Sequence, residues 1–205
     1  MDASSSHADD RGWTRARLLR SLACGGAVVA GGAAAGARSG AGTSMAAASK
    51  DGDARILNLF LLLEFVQEGF YRAALENNAL DGELRDFAST VADQESEHIA
   101  FLSERLGNRA RERPQSDFGP LLESPRAFRD AAIELEELTI AAFVGQAANL
   151  TRRTVGPIAT LVSVEARQVA WVRDLAGLSP APRAADPART AGAVVADLRK
   201  RGFIR

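Results

Sequence analysis

From residue 53 onward, apolar residues recur at intervals of three and four, and no run alternates in the way a strand does. The rhythm predicts a first helix over 53–78, apolar from Ile56 to Leu75, stopped by Glu76, Asn77 and Asn78 ahead of a turn at Asp81 and Gly82. A second helix runs from about 82 to 106 and closes at Gly107 and Asn108. Residues 108–124 contain Pro114, Gly119 and Pro120 and read as a long irregular connection. Ser124 followed by Pro125 is a cap with proline in the first helical position, opening a third helix to about Asn149. A fourth spans Thr154 to Ala176, with Pro157 near its first turn and Gly177 as its stop. The tail carries Pro180, Pro182 and Pro187 and then a short amphipathic segment, Thr190 to Lys200, suited to docking on the domain. The expected fold is all-α.

The apolar stripes are interrupted in a consistent way. They read Leu57, Phe60, Glu64, Tyr71, Leu75 in the first helix and Leu84, Phe87, Val91, Glu95, His98, Leu102, Leu106 in the second. The third reads Phe128, Ala132, Leu135, Glu136, Thr139, Phe143, and the fourth Ile158, Leu161, Val162, Glu165, Gln168, Val169, Val172. Each helix places a glutamate where hydrocarbon is expected, and a charge on a buried face costs several kcal/mol unless something compensates it. Glu68, Glu97, Glu134 and Glu137 fall on faces expected to be solvated, and Trp171 is read as packing.

Simple arithmetic sets the heights of these glutamates. In an antiparallel pair, residues equally far from the connecting turn lie side by side. Positions 64 and 95 average to 79.5, inside the first predicted turn, and 136 and 165 average to 150.5, inside the turn at 150–154. Glu64 should therefore face Glu95, and Glu136 should face Glu165. A helix of about 26 residues is roughly 39 Å long, and about 17 extended residues reach roughly 56 Å, so residues 108–124 are long enough for one crossover along the bundle. Four buried carboxylates at one level repel one another. Two divalent cations would neutralise them, whereas one would leave two charges for protons or an arginine such as Arg72, Arg152 or Arg167.

Composition narrows the field further. Lys and Arg number 25 against 26 Asp and Glu, so bulk charge gives no reason to bind nucleic acid, and the local basic patch of Arg105, Arg109, Arg111 and Arg113 reads as a solvated helix end and loop. The single cysteine, Cys24, rules out an intramolecular disulfide, and His98 is the one histidine outside the leader. Residues 1–50 have the order of an export signal: Arg15, Arg17 and Arg20, then a Gly/Ala-rich apolar run from Leu22 to Ala35, with cleavage candidates at Ala33–Ala35 and Ala46–Ala48. Thr14 to Leu19 resembles a twin-arginine leader, although Ala16 separates the arginines. The alternative is a disordered tail with Met45 as the true start. No transmembrane helix is expected. The chain is thus divided into a leader (1–50), a bundle (51–178) and a tail (179–205), and the protein is expected to be exported, to the periplasm or to the extracellular space or cell envelope. Gly-x-Ser-x-Gly elbows and phosphate loops are missing, which removes those catalytic classes.

At Leu63-Glu64-Phe65, Phe70-Tyr71, Glu95-Ser96-Glu97-His98, Leu135-Glu136-Glu137, Ala141-Ala142-Phe143 and Val164-Glu165-Ala166-Arg167-Gln168, the chain resembles the ferritin-like superfamily, and within it the exported, desiccation-related type. The resemblance covers about residues 53–177 and implies an antiparallel four-helix bundle with one long crossover, followed here by the short C-terminal helix. It implies iron as cofactor, one or two ions, with manganese as the alternative, and dioxygen or peroxide as partner. It also implies that Glu64 and Glu136 are terminal ligands, that Glu95 and Glu165 bridge, that His98 is a nitrogen ligand, and that Tyr71 is the catalytic candidate beside the metals. Gln168 stands where the family pattern has histidine, and a neutral amide is a poorer iron ligand than imidazole. Phe143 stands where a tyrosine is common.

Two readings of function remain open at this point. One is a carboxylate-held metal protein with oxidase or peroxidase-type redox activity. The other is a degenerate, non-enzymatic bundle with a structural or stress-protective role in the envelope. Oligomeric state, a homo-oligomer included, depends on outer surfaces that the sequence does not disclose.

Overall fold

The computed structural model describes residues 48–77 and 80–205. The expectations about the leader, including its arginines, Cys24, both cleavage candidates and Met45, lie outside the described residues. Within them the order is α1 (Lys50–Glu76), α2 (Gly82–Leu106), short 3-10 turns at Gly107–Arg109 and Gly119–Leu122, α3 (Pro125–Ala147), α4 (Arg152–Leu175) and α5 (Ala191–Lys200). All regular structure among the described residues is helical.

Local chemistry explains most of the helix ends. The Ser49 hydroxyl accepts from the Gly52 amide, Ser124 from Ala127, and Thr190 from Ala193, so α1, α3 and α5 carry ordinary N-caps. Gly107, at φ 56°, terminates α2 in a backbone region that favours glycine. Three helices have ends that differ from expectation. α1 starts at Lys50 rather than 53, with Ser49 as its cap. α3 stops at Ala147 rather than near Asn149, because Asn149 and Leu150 turn back onto the carbonyls of Gln146 and Ala147. α4 begins two residues early, at Arg152, because its cap comes from another helix: Asp53 accepts from the Thr151 amide (2.8 Å) and from the hydroxyls of Thr151 and Thr154 (2.5 Å each).

Side-chain bonds also fix the direction of each segment. Asn58, near the start of α1, donates to the Arg109 carbonyl and accepts from the Arg111 amide, while Asn77, at its end, donates to the Leu122 carbonyl. The crossover therefore runs back along α1 from one end of the bundle to the other. It is less irregular and less solvated than its composition suggests. Phe118 and Leu122 are buried, and Arg113 bonds the Phe65 carbonyl and Glu68 while its guanidinium lies over the Phe65 ring. Helix α1 thus packs antiparallel to both α2 and α3, with α4 completing the square.

The tail docks as its amphipathic pattern suggests. Val194, Leu198 and Phe203 are fully buried, Phe203 meets Phe70 edge-on, and Arg201 pairs with Glu134 of α3. The approach is close at Gly145, where a Cβ would fall 1.9 Å from the Arg189 carbonyl oxygen. Of the glutamates expected on solvated faces, Glu68, Glu134 and Glu137 are engaged in ion pairs, and Glu97 is exposed. Trp171 packs edge-on against Phe87.

The apolar core forms two clusters. One holds Phe70, Phe87, Phe128, Val172 and Phe203, and the other holds Phe60, Leu102, Phe143, Ile158 and Leu161. On α2 and α4 the gap between them is occupied by Glu95 with His98 and by Glu165 with Gln168.

Candidate metal centre

The gap is filled with acid. Glu64, Glu95, Glu136 and Glu165 are all fully buried, and His98 and Gln168 nearly so. Helical geometry puts them there: each lies in the core-facing stripe of its helix, and the i, i+3 spacing sets His98 beside Glu95 and Gln168 beside Glu165.

Glu64, Glu95, His98 and Glu165 converge, each offering one ligand atom, and these atoms all lie within 4.8 Å of one another. His98 Nδ1 is 3.3 Å from Glu64 Oε2, 3.1 Å from Glu95 Oε2 and 3.0 Å from Glu165 Oε1. The third contact is close but poorly aligned for a hydrogen bond, and Glu165 Oε1 has no other partner. One ring nitrogen carries at most one proton, so it cannot serve three carboxylates as a donor. Glu136 is not part of this group of four. Its Oε1 accepts a short hydrogen bond from the Tyr71 phenol.

Electrostatics agrees with the crowding. Burial raises the pKa of Glu64, with the Glu165 charge adding to it, and burial with the Glu64 charge raises Glu95 strongly. Burial with the charges of Glu165 and Glu95 does the same to Glu136. Glu165 is pushed up to about 7, by burial first and then by Glu95. For His98 burial favours the neutral ring, but the carboxylates of Glu165, Glu64 and Glu95 crowded against Nδ1 outweigh it and drive the pKa up. No arginine relieves the cluster among the described residues: Arg152 and Arg167 are exposed, and Arg72 bonds Asp93, Ser96 and Glu68.

The donor set fits a divalent transition ion. Carboxylate oxygens and imidazole nitrogen suit iron, manganese and zinc. Metal–ligand bonds of about 2.0–2.2 Å would hold ligand atoms roughly 3 to 4.4 Å apart, close to the spread found here. Glu64 Oε1, Glu136 Oε2, Glu165 Oε1 and Gln168 Oε1 are buried without hydrogen-bond partners, an expensive arrangement unless a cation, a proton or water answers them.

Two participants were not visible from sequence patterns alone. Gln67, fully buried one turn after Glu64, donates to Glu165 Oε2 (3.4 Å) and accepts from the Thr139 hydroxyl (2.9 Å). Gln94, half-buried, accepts from Gln168 Nε2 (3.0 Å), which also donates to Glu95 Oε1 (2.8 Å). The signal for Gln67 was its i+3 relation to Glu64; an amide at that position is otherwise indistinguishable from a surface residue. Phe143 stacks on Phe60 and makes no polar contribution.

Together these features define a helical bundle with a buried carboxylate and histidine cluster able to hold a metal ion. The profile of the ferritin-like domain family matches residues 52–178, more than half of the chain. The chain belongs to the ferritin-like family. No curated protein matches it.

Proposed function

We propose that this chain is an exported ferritin-like protein that binds iron, or manganese, through Glu64, Glu95, His98 and Glu165, and that it uses the ion in redox chemistry with dioxygen or peroxide. The observation that carries the reading is the convergence of four buried ligand groups within 4.8 Å. When bound, such an ion supplies single-electron chemistry and Lewis acidity.

The chain's own residues do the rest. The three carboxylates offset the ion's charge, and the i, i+3 pairing fixes His98 relative to Glu95. The two apolar clusters exclude water from above and below. Tyr71, buried and bonded to Glu136, keeps its proton, since burial and the Glu136 charge raise its pKa far above that of a free phenol. It is the candidate proton-holding group beside the ion. The export assignment rests on the leader sequence, and the desiccation-related type on the motifs quoted above. No helix among the described residues is long and apolar enough to cross a membrane.

Metal analysis of protein purified without added metal tests the reading. Bound iron or manganese is expected in the wild type, with at least a tenfold loss of affinity in Glu95→Ala and His98→Ala. A second reading, a structural bundle without metal, is favoured by the hydrogen bonds that already join these side chains to one another, Tyr71 to Glu136, Gln168 to Glu95 and Gln67 to Glu165. It predicts a melting temperature indifferent to added metal.

A further inference from the structure

The two hairpins offer matching sets of side chains. Glu64, Glu95 and His98 come from α1 and α2, while Glu136, Glu165 and Gln168 come from α3 and α4, with Gln168 three residues after Glu165 just as His98 is three after Glu95. A second ion would use the second set. The side chains there are already committed to one another.

The two oxygens of Glu95 and of Glu165 point to different neighbours. Glu95 Oε2 and Glu165 Oε1 lie 3.1 and 3.0 Å from His98 Nδ1. Their other oxygens meet amide nitrogens: Glu95 Oε1 accepts from Gln168 Nε2 at 2.8 Å, and Glu165 Oε2 from Gln67 Nε2 at 3.4 Å. An amide –NH2 is a donor with no lone pair to give, so it occupies the place of a cation without being able to ligate one. The orientation of Gln168 is set by two acceptors, Glu95 Oε1 and Gln94 Oε1. Turning the amide over would set its oxygen against the Glu95 carboxylate. Gln67 is oriented in turn by Glu165 Oε2, which accepts from its Nε2, while the Thr139 hydroxyl donates to its Oε1. Glu136 keeps one oxygen on the Tyr71 phenol. Of the unpaired oxygens in this half, Glu165 Oε1 faces His98 in the first position, which leaves Glu136 Oε2 and Gln168 Oε1, two oxygens and no nitrogen, short of the four ligands a transition ion ordinarily takes.

We infer that the centre takes a single cation, at Glu64, Glu95, His98 and Glu165, and that the amides of Gln168 and Gln67 close the position of a second. The inference rests on the metal-binding reading above and narrows it to a mononuclear site in which Glu136 is a hydrogen-bond acceptor, not a ligand.

The test is anaerobic titration of the chelator-stripped full chain with Fe(II), counting bound metal per chain and following the melting temperature. The wild type should bind one equivalent. Glu136→Gln should also bind one, with affinity within about threefold of wild type. Gln168→His, alone or combined with Gln67→Ala, should gain a second equivalent, with circular dichroism confirming a folded bundle. Two equivalents in the wild type would overturn the inference while leaving the metal-binding reading intact, as would loss of the single equivalent in Glu136→Gln. Folded Gln168→His proteins that still take one equivalent, with and without Gln67→Ala, would overturn the role given to the amides. No binding by the wild type would overturn both the inference and the reading beneath it.

Discussion

A glutamate stripped of water holds its proton more tightly than a free one, and here that pull acts on four side chains at once. Because burial and mutual repulsion raise their folded-state pKa values, they contribute stability that is complete below the ordinary Glu value of about 4.3 and is lost as pH rises through the folded value, about 7 for Glu165. His98, also raised, has the same sign. Metal-free protein should therefore melt at a higher temperature near pH 5.5 than near pH 8, and added Fe(II) or Mn(II) should reverse the order by taking the place of the protons. Thermal melts with and without chelator at the two pH values would check this. Asp53 behaves oppositely. Burial favours its neutral form, but hydrogen bonds from Thr151 and Thr154 outweigh it and hold its pKa below the ordinary Asp value. Its contribution is present above about pH 4 and fades as pH falls through the lower folded value. Asp53→Ala should cost about 1–2 kcal/mol at neutral pH, the scale of a lost helix cap, measured by denaturant unfolding, with a smaller penalty at pH 3. The four glutamates and His98 were legible in sequence because charge within an apolar stripe breaks a pattern. Gln67, Gln94 and Asp53 were not: an amide or a carboxylate near a helix end breaks none, and the partners that give them meaning lie on other helices.

Among the elements, the helices followed from periodicity and caps, since local propensity and tertiary packing favour the same boundaries there. The errors fall where tertiary contacts override local signals. α4 starts early because α1 supplies its cap, and the crossover is ordered because Phe118, Leu122 and Arg113 grip α1. The tail is the element most exposed to a single change. Arg189 donates its amide to the Ala141 carbonyl, and Gln146 donates to the Arg189 carbonyl, so the backbone of the tail lies directly on α3 at Gly145. Gly145→Ala gains helix propensity, worth up to about 1 kcal/mol, yet its methyl would overlap Arg189. The clash should win. Limited proteolysis is expected to cut the 180–190 segment of Gly145→Ala at least several-fold faster than in the wild type, while α1–α4 remain helical by circular dichroism.

For the molecule as a whole, the ligands are divided unequally between the two hairpins. Glu64, Glu95 and His98 belong to α1 and α2, and Glu165 arrives only with α4, about a hundred residues after the first. The first hairpin thus supplies three of the four candidate ligands, and the group is complete only when α4 packs against it. An ion held by all four would require a finished polypeptide with its two hairpins brought together, a property of use to any export route that accepts only folded cargo.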